Sequence, residues 1–250
     1  MLAIDHWAWT NRWHRYHPVE KGLLAGGMLL LAVALPAPTT GPIIIAVMGL
    51  ATVAGAGIPA FTWLRMMALP GAFLITSVPF LVLSLDFSSG LNIAFSPQGW
   101  EPALRVVLRS LAAVSCLTFL TLTTPVIDLV PLLRRLGIPQ PVVEMMLLIY
   151  RLVFVFLERA ASARQAQIAR QGYTGVRHSL RSLGLLATNL FQRSLEQAQR
   201  MEIGLAARGF KGELRVLTPQ RTFSQSRLLI IISLLIGVAA LGLALDAAAL

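Results

Sequence analysis

Leu228-Leu229-Ile230-Ile231-Ile232-Ser233-Leu234-Leu235-Ile236-Gly237-Val238 opens a run that reaches Leu245 without a charged residue. The hydrocarbon core of a bilayer takes about 20 mostly apolar residues of helix, so residues 228–245 read as a membrane span. Directly upstream the character of the chain inverts. Residues 125–227 hold fifteen of the twenty-one Lys and Arg residues but only six of the eleven acids. The chain as a whole is 56% hydrophobic and 13% charged, against about 25% charged in soluble proteins. A basic segment set before a terminal span, in so apolar a chain, predicts a polytopic membrane protein with a positive domain on one side.

Four further spans are expected upstream, at about 21–36, 42–58, 66–85 and 103–124. The first two are short, so their flanks must sit at the interface, and Trp7, Trp9, Trp13 and Tyr16 suit the headgroup level. Positive loops are held on the cytoplasmic side. Arg12, Arg15 and Lys21 precede the first span, Arg65 lies between the second and third, and 86–101 is acidic without Lys or Arg. Every loop then agrees on one orientation: amino terminus and residues 125–227 inside, carboxyl terminus outside. The net charge of +10 is this bias rather than a nucleic-acid footprint. Reading the 22–35 run as a cleaved signal is disfavoured, since its removal would place the basic segment outside. Arg105 and Arg109 open the fourth span on the outer side. Arg105 follows Glu101 by one turn and can snorkel, while Arg109 is expected to face other helices or a partner subunit.

The fold class is therefore an all-α polytopic membrane protein of about five transmembrane helices with a cytoplasmic domain before the last span. Its divisions are 1–20, an interfacial amino-terminal segment; 21–124, spans one to four; 125–227, the cytoplasmic domain; and 228–250, span five. Within 125–227, Thr123-Thr124-Pro125 ends the fourth span, because proline lacks an amide donor and disfavours helix in the preceding residue. A short helix follows to Leu136 and is closed by Gly137. A longer one runs from Pro141 towards Arg170; its apolar stretch 145–157 is interrupted by Arg151 and is too short to span. A third, at about 177–208, puts Leu183, Leu186, Leu190, Ser194, Gln197, Met201 and Leu205 near one face. Both long helices end alike, in Ala169-Arg170-Gln171-Gly172-Tyr173 and in Ala207-Arg208-Gly209-Phe210. One such ending is ordinary helix termination, with Arg at the negative pole of the dipole and Gly taking the left-handed conformation. Two, each followed by an aromatic residue, suggest Arg forks that enter acidic grooves on two copies of a partner.

These residues carry a resemblance. The opening Ile4-Asp5-His6-Trp7-Ala8 with Asn11-Arg12, then His17-Pro18 with Lys21, Thr123-Thr124-Pro125, Leu132-Leu133-Arg134-Arg135-Leu136-Gly137-Ile138-Pro139, Tyr150-Arg151, the two Arg segments and Gly209-Phe210-Lys211-Gly212-Glu213 resemble the transmembrane coupling subunit of energy-coupling-factor transporters. The likeness is to the cobalt-type CbiQ family of these T components and covers nearly the whole chain. It implies a scaffold holding a CbiM-like substrate-binding membrane subunit, with a small CbiN-like accessory subunit, against two CbiO-like ATPases in a bacterial cytoplasmic membrane. Residues 125–227 would then be a coupling-helix domain whose Ala169, Arg170, Gly172 and Tyr173, and Ala207, Arg208, Gly209 and Phe210, dock into the ATPases. Gln171 departs from a simple Ala-Arg-Gly order.

The chain itself is not expected to be an enzyme. It has no GxxxxGK[ST] phosphate loop, so no cofactor is expected on it, and ATP with Mg belongs to the partner ATPases. His6, His14, His17 and His178 lack a ligand arrangement, and the His14/His17 spacing near Asp5 suits a solvated face better than a metal site. Cys116 stands alone in an apolar run. Two other readings are the same coupling role for nickel or a vitamin, and a membrane-embedded lipid or prenyl enzyme. The latter would need clustered acids or histidines at the interface, and the acids are scattered.

Overall fold

The structure is a computed structural model that describes residues 3–86, 92–95, 99–135, 137–209 and 224–249, with side chains described for 7–79, 99–130, 137–209 and 224–247. Its helices are α1 (Ala3–Thr10), α2 (Pro18–Ala34), α3 (Ala37–Leu50), α4 (Ala60–Val82), α5 (Trp100–Thr123), α6 (Val126–Arg135), α7 (Gln140–Ala169), α8 (Val176–Ala207) and α9 (Gln225–Ala249). A 3-10 turn, Arg12–Arg15, joins α1 to α2, and a π turn, Ala51–Gly55, extends α3. Between α4 and α5 a short antiparallel hairpin pairs Leu83–Asp86 with Asn92–Phe95, a feature the apolar pattern of the third span did not suggest.

The chain divides into two compact units, Met1–Leu129 with Gln220–Leu250, and Val130–Pro219. In the first, α5 is the central post against which α2, α3 and α4 pack, and α9 closes the bundle against α2 and α3. Its buried heart is Leu24 and Met28 of α2, Ile44 and Met48 of α3, Cys116 and Phe119 of α5, and Val238 of α9. Lipid tails are as apolar as these side chains, so close van der Waals fit has to hold the helices together. Small residues supply that fit. A Cβ on Gly27 would lie 2.7 Å from Leu235 Cδ1, and one on Gly41 would lie 3.1 Å from Leu108 Cβ. Large apolar side chains are left on the outside, among them Leu30, Leu69, Phe73 and Ile236, as a bilayer solvent allows.

The five expected spans correspond to α2, α3 with its π turn, α4, α5 and α9. Among the described residues five helices are long and apolar enough to cross a membrane, but the set is not identical: α7 is among them, whereas α2 has 17 residues and falls short. The thirteen-residue apolar stretch expected to be too short for a span belongs to a 30-residue helix. Even so α2 sits inside the bundle, and α7 lies in the other unit, packed on α8.

The ends of the bundle differ in charge. Arg12 N donates to Ala56 O at 3.0 Å, Lys21 Nζ to Thr123 O at 2.7 Å, and Arg227 pairs with Glu20 at 3.2 Å. The amino-terminal segment, the α3–α4 junction, the end of α5 and the start of α9 therefore gather at one end, together with Arg12, Lys21 and Arg227. At the opposite end Arg105 pairs with Glu101 at 2.5 Å, an exposed contact of small value. Arg109 remains exposed and reaches Leu35 O at 3.5 Å, beside the last turn of α2. Trp13 departs from a purely interfacial role, because its ring meets Phe119 edge-on at 5.6 Å within the bundle. His17 accepts from Val19 N at 3.2 Å and so caps α2, and the His14 ring lies 5.3 Å from that of Trp9.

Candidate coupling site

In the second unit α7 and α8 form an antiparallel hairpin. Half-buried Ser179, Leu186, Leu190, Ser194, Gln197, Met201 and Leu205, with buried Ser182, make the inner stripe of α8. Leu183, expected on that face, is 50% exposed, and Ser182 takes the inward place. The reason is polar. Ser182 Oγ donates to Gly172 O at 2.7 Å, and Ser182 O accepts from Gln167 Nε2 at 2.9 Å. The small Ser182 side chain fits this close approach, and its hydroxyl is satisfied there by Gly172 O.

The turn after α7 is a Schellman closure. Gln171 N donates to Ile168 O at 2.9 Å and Gly172 N to Gln167 O at 2.8 Å, which satisfies two of the orphan carbonyls of the helix. Arg170 is the C-cap, and the left-handed residue after it is Gln171, at φ 57°. This corrects the expectation that Gly172 would take that conformation. Gly172 is needed for a different reason: a Cβ there would lie 2.7 Å from Ser182 Oγ and 3.0 Å from Gln167 O. Tyr173 is not a loose aromatic tip. Its hydroxyl donates to Gln167 Oε1 at 2.8 Å, and Arg164 lies over its ring at 5.9 Å.

The end of α8 repeats the geometry. Arg208 is the C-cap, Gly209 N donates to Ala206 O at 3.0 Å, and Gly209 is left-handed at φ 71°. Ala169, Arg170 and Gln171 thus correspond to Ala207, Arg208 and Gly209, so the inserted Gln171 does not shift the arginine. Phe210 lies outside the described residues. Ala169, Arg170, Ala207 and Arg208 are all exposed.

The two arginines are not neighbours. At 1.5 Å per residue the 32 residues of α8 span about 48 Å, so Arg170 and Arg208 stand near opposite ends of the hairpin. What the structure brings together is instead each exposed arginine with the end of its own helix, the pole of the dipole that favours a cation. Gln167, Ser182 and Arg164 were missed by sequence reasoning. Ser182 is one of several polar residues along the inner stripe of α8, with Ser179, Ser194 and Gln197, so its position alone did not single it out.

An apolar helical bundle with an inserted basic hairpin defines a multi-pass membrane protein. The sequence pattern of CbiQ, described as a cobalt transport protein, matches residues 10–219. The chain belongs to this family. It is 39% identical over 246 residues to the cobalt transport protein CbiQ of Rhodobacter capsulatus, covering 98% of this chain and 99% of that one. It is 30% identical over 226 residues to the CbiQ of Salmonella typhimurium, covering 86% of this chain and all of the relative. A putative fused cobalt transport protein CbiMQ of Methanocorpusculum labreanum is 38% identical over 112 residues, 45% of this chain and 19% of its own length.

Proposed function

We propose that the chain is the transmembrane coupling subunit of an energy-coupling-factor importer for cobalt, passing the conformational change of two ATPases to a CbiM-like substrate-binding membrane subunit. The observation that carries this reading is the pair of equivalent helix ends, each presenting an exposed C-cap arginine. Family membership gives cobalt as cargo, and the name of the fused CbiMQ relative supports a CbiM-like partner. A CbiN-like subunit completes the membrane part. ATP and Mg bind the CbiO-like ATPases, and this chain binds no cofactor and catalyses no reaction.

In this reading the protein sits in a bacterial cytoplasmic membrane with residues 125–227 and the amino terminus inside. Closure of the ATPases on ATP moves the ends of α7 and α8, and their displacement reorients the substrate subunit. Such coupling needs contacts whose free energy differs between the two states. Charge-assisted hydrogen bonds of Arg170 and Arg208, at about 1.5–3 kcal/mol each, have the required size.

The test is co-purification and metal uptake. A tagged chain recovers two ATPase copies and a small membrane protein, and vesicles holding the complex take up cobalt in preference to nickel when ATP is supplied. Arg208→Ala weakens ATPase binding by roughly ten- to a hundredfold. Intact assembly and transport in an Arg170→Ala/Arg208→Ala double variant would sink the assignment of these arginines.

A further inference from the structure

Glu20 and Lys21 are consecutive residues of α2, opposite in charge, and each is only 2% exposed. Lys21 Nζ donates to Thr123 O at 2.7 Å, the carbonyl of the last residue of α5. Asn11 Nδ2 approaches the same oxygen at 3.3 Å and Leu122 O at 3.2 Å. An ammonium thus meets the negative pole of α5, where carbonyls lack helical partners. Glu20 does the converse. Its Oε1 accepts from Ser224 N at 2.9 Å, immediately before α9, and its Oε2 pairs with Arg227 Nη1 at 3.2 Å. A carboxylate therefore meets the positive pole of α9. The Arg227 guanidinium also lies over the Tyr16 ring, 4.3 Å from its centre.

These two helix ends are not arbitrary. The chain leaves the bundle for the unit Val130–Pro219 beyond the end of α5, and it is back in the bundle at the start of α9. One dipeptide on a third helix fastens both connections.

We propose that Glu20 and Lys21 are positioning residues that clamp the two chain connections of the coupling unit to the bundle, so that its displacement is delivered to α5 and α9 instead of being lost at loose joints. The proposal rests on the coupling reading above. Without the clamp the ATPases still bind at Arg170 and Arg208 and still hydrolyse ATP, but their stroke no longer moves the membrane helices.

The experiment uses the complete complex in vesicles and measures cobalt uptake and ATP hydrolysis together. Lys21→Met keeps the stem and removes the charge, and Glu20→Gln keeps an acceptor for Ser224 N while removing the charge that holds Arg227. Both variants are expected to recover the ATPases and to hydrolyse ATP within about twofold of the parent. Cobalt moved per ATP falls tenfold or more in Lys21→Met and several-fold in Glu20→Gln, and Lys21→Arg restores most of it. If Lys21→Met fails to accumulate, Glu20→Gln decides alone. A residue needed only for folding would lower uptake and hydrolysis in proportion, leaving the ratio unchanged, and that result overturns the clamp. Absence of ATP-dependent uptake by the unsubstituted complex would instead remove the coupling reading, and the clamp with it.

Discussion

Gln171 occupies a backbone position where glycine is the usual choice, and Gly209 occupies the same position at the end of α8. A side chain in the left-handed region costs about 1–2 kcal/mol. The bonds from Gln171 N and Gly172 N that close α7 offset that cost. The expected consequence is asymmetric. Gln171→Gly is near neutral, because relief of the strained φ is balanced by the greater freedom of glycine in the unfolded chain. Gly209→Ala destabilises the last turn of α8 by roughly 1 kcal/mol, and Gly209→Asn costs less, since asparagine tolerates this conformation. Amide hydrogen exchange over residues 203–209 measures the difference as faster exchange in Gly209→Ala alone. The conformation at 209 was legible in the sequence because glycine announces it. At 171 it was not, because glutamine carries no such mark and the neighbouring Gly172 drew attention to itself. Gly172 instead serves the close approach of Ser182, a contact between the turn after α7 and a residue of α8.

At the scale of elements, helix ends and apolar stripes were the readable part. Pro125 after Thr124, Gly137 after α6 and the alternation along α8 all act through local geometry, which a sequence displays directly. Thr124 is extended at φ −128°, as a residue before proline prefers, and Gly137 is left-handed at φ 83°. The polar staple of the hairpin was not readable, since it joins Gln167 to Ser182 and Tyr173 through side-chain geometry that has no period. Its energetic weight is testable apart from the arginine it supports. Gln167→Leu removes both the bond to Ser182 O and the bond from the Tyr173 hydroxyl, a loss of about 1–2 kcal/mol in the turn. Under the proposed coupling role, ATPase affinity is then expected to fall although Arg170 is untouched. In a cycle with Arg170→Ala the two losses are less than additive, with a coupling of at least about 0.5 kcal/mol, because a misplaced cap and a missing guanidinium forfeit the same contact. Strict additivity in a binding measurement would show that the staple and the docking residue act separately.

For the whole molecule, the question is which side of the membrane the hairpin occupies. By length and composition α7 qualifies as a span while α2 does not. Physical context reverses that ranking. If α7 crossed the bilayer, α8 would have to cross beside it, since Gln167 bonds to Ser182 across an antiparallel pair. α8 carries Arg177, Arg181, Arg193, Glu196, Arg200 and Glu202. Each charge at mid-bilayer costs about 2.5–3.5 kcal/mol on insertion scales, and the Arg200–Glu196 contact, at 3.9 Å and largely exposed, recovers little of it. α2, by contrast, lies against α3, α5 and α9 with its charged Glu20 and Lys21 satisfied at the basic end. The charge pattern therefore favours α2, α3, α4, α5 and α9 as the spans, and the proposed topology puts the α7–α8 hairpin on the cytoplasmic face with the amino terminus. Single cysteines placed at 12, 171 and 208 in a Cys116→Ser background are expected to react with a membrane-impermeant thiol reagent only when the cytoplasmic face is exposed, while one at 247 reacts from the outside of intact cells. If the cysteine at 171 reacted from outside and the one at 208 from inside, α8 would have to lie across the bilayer. The hairpin could then present only one arginine to the ATPases.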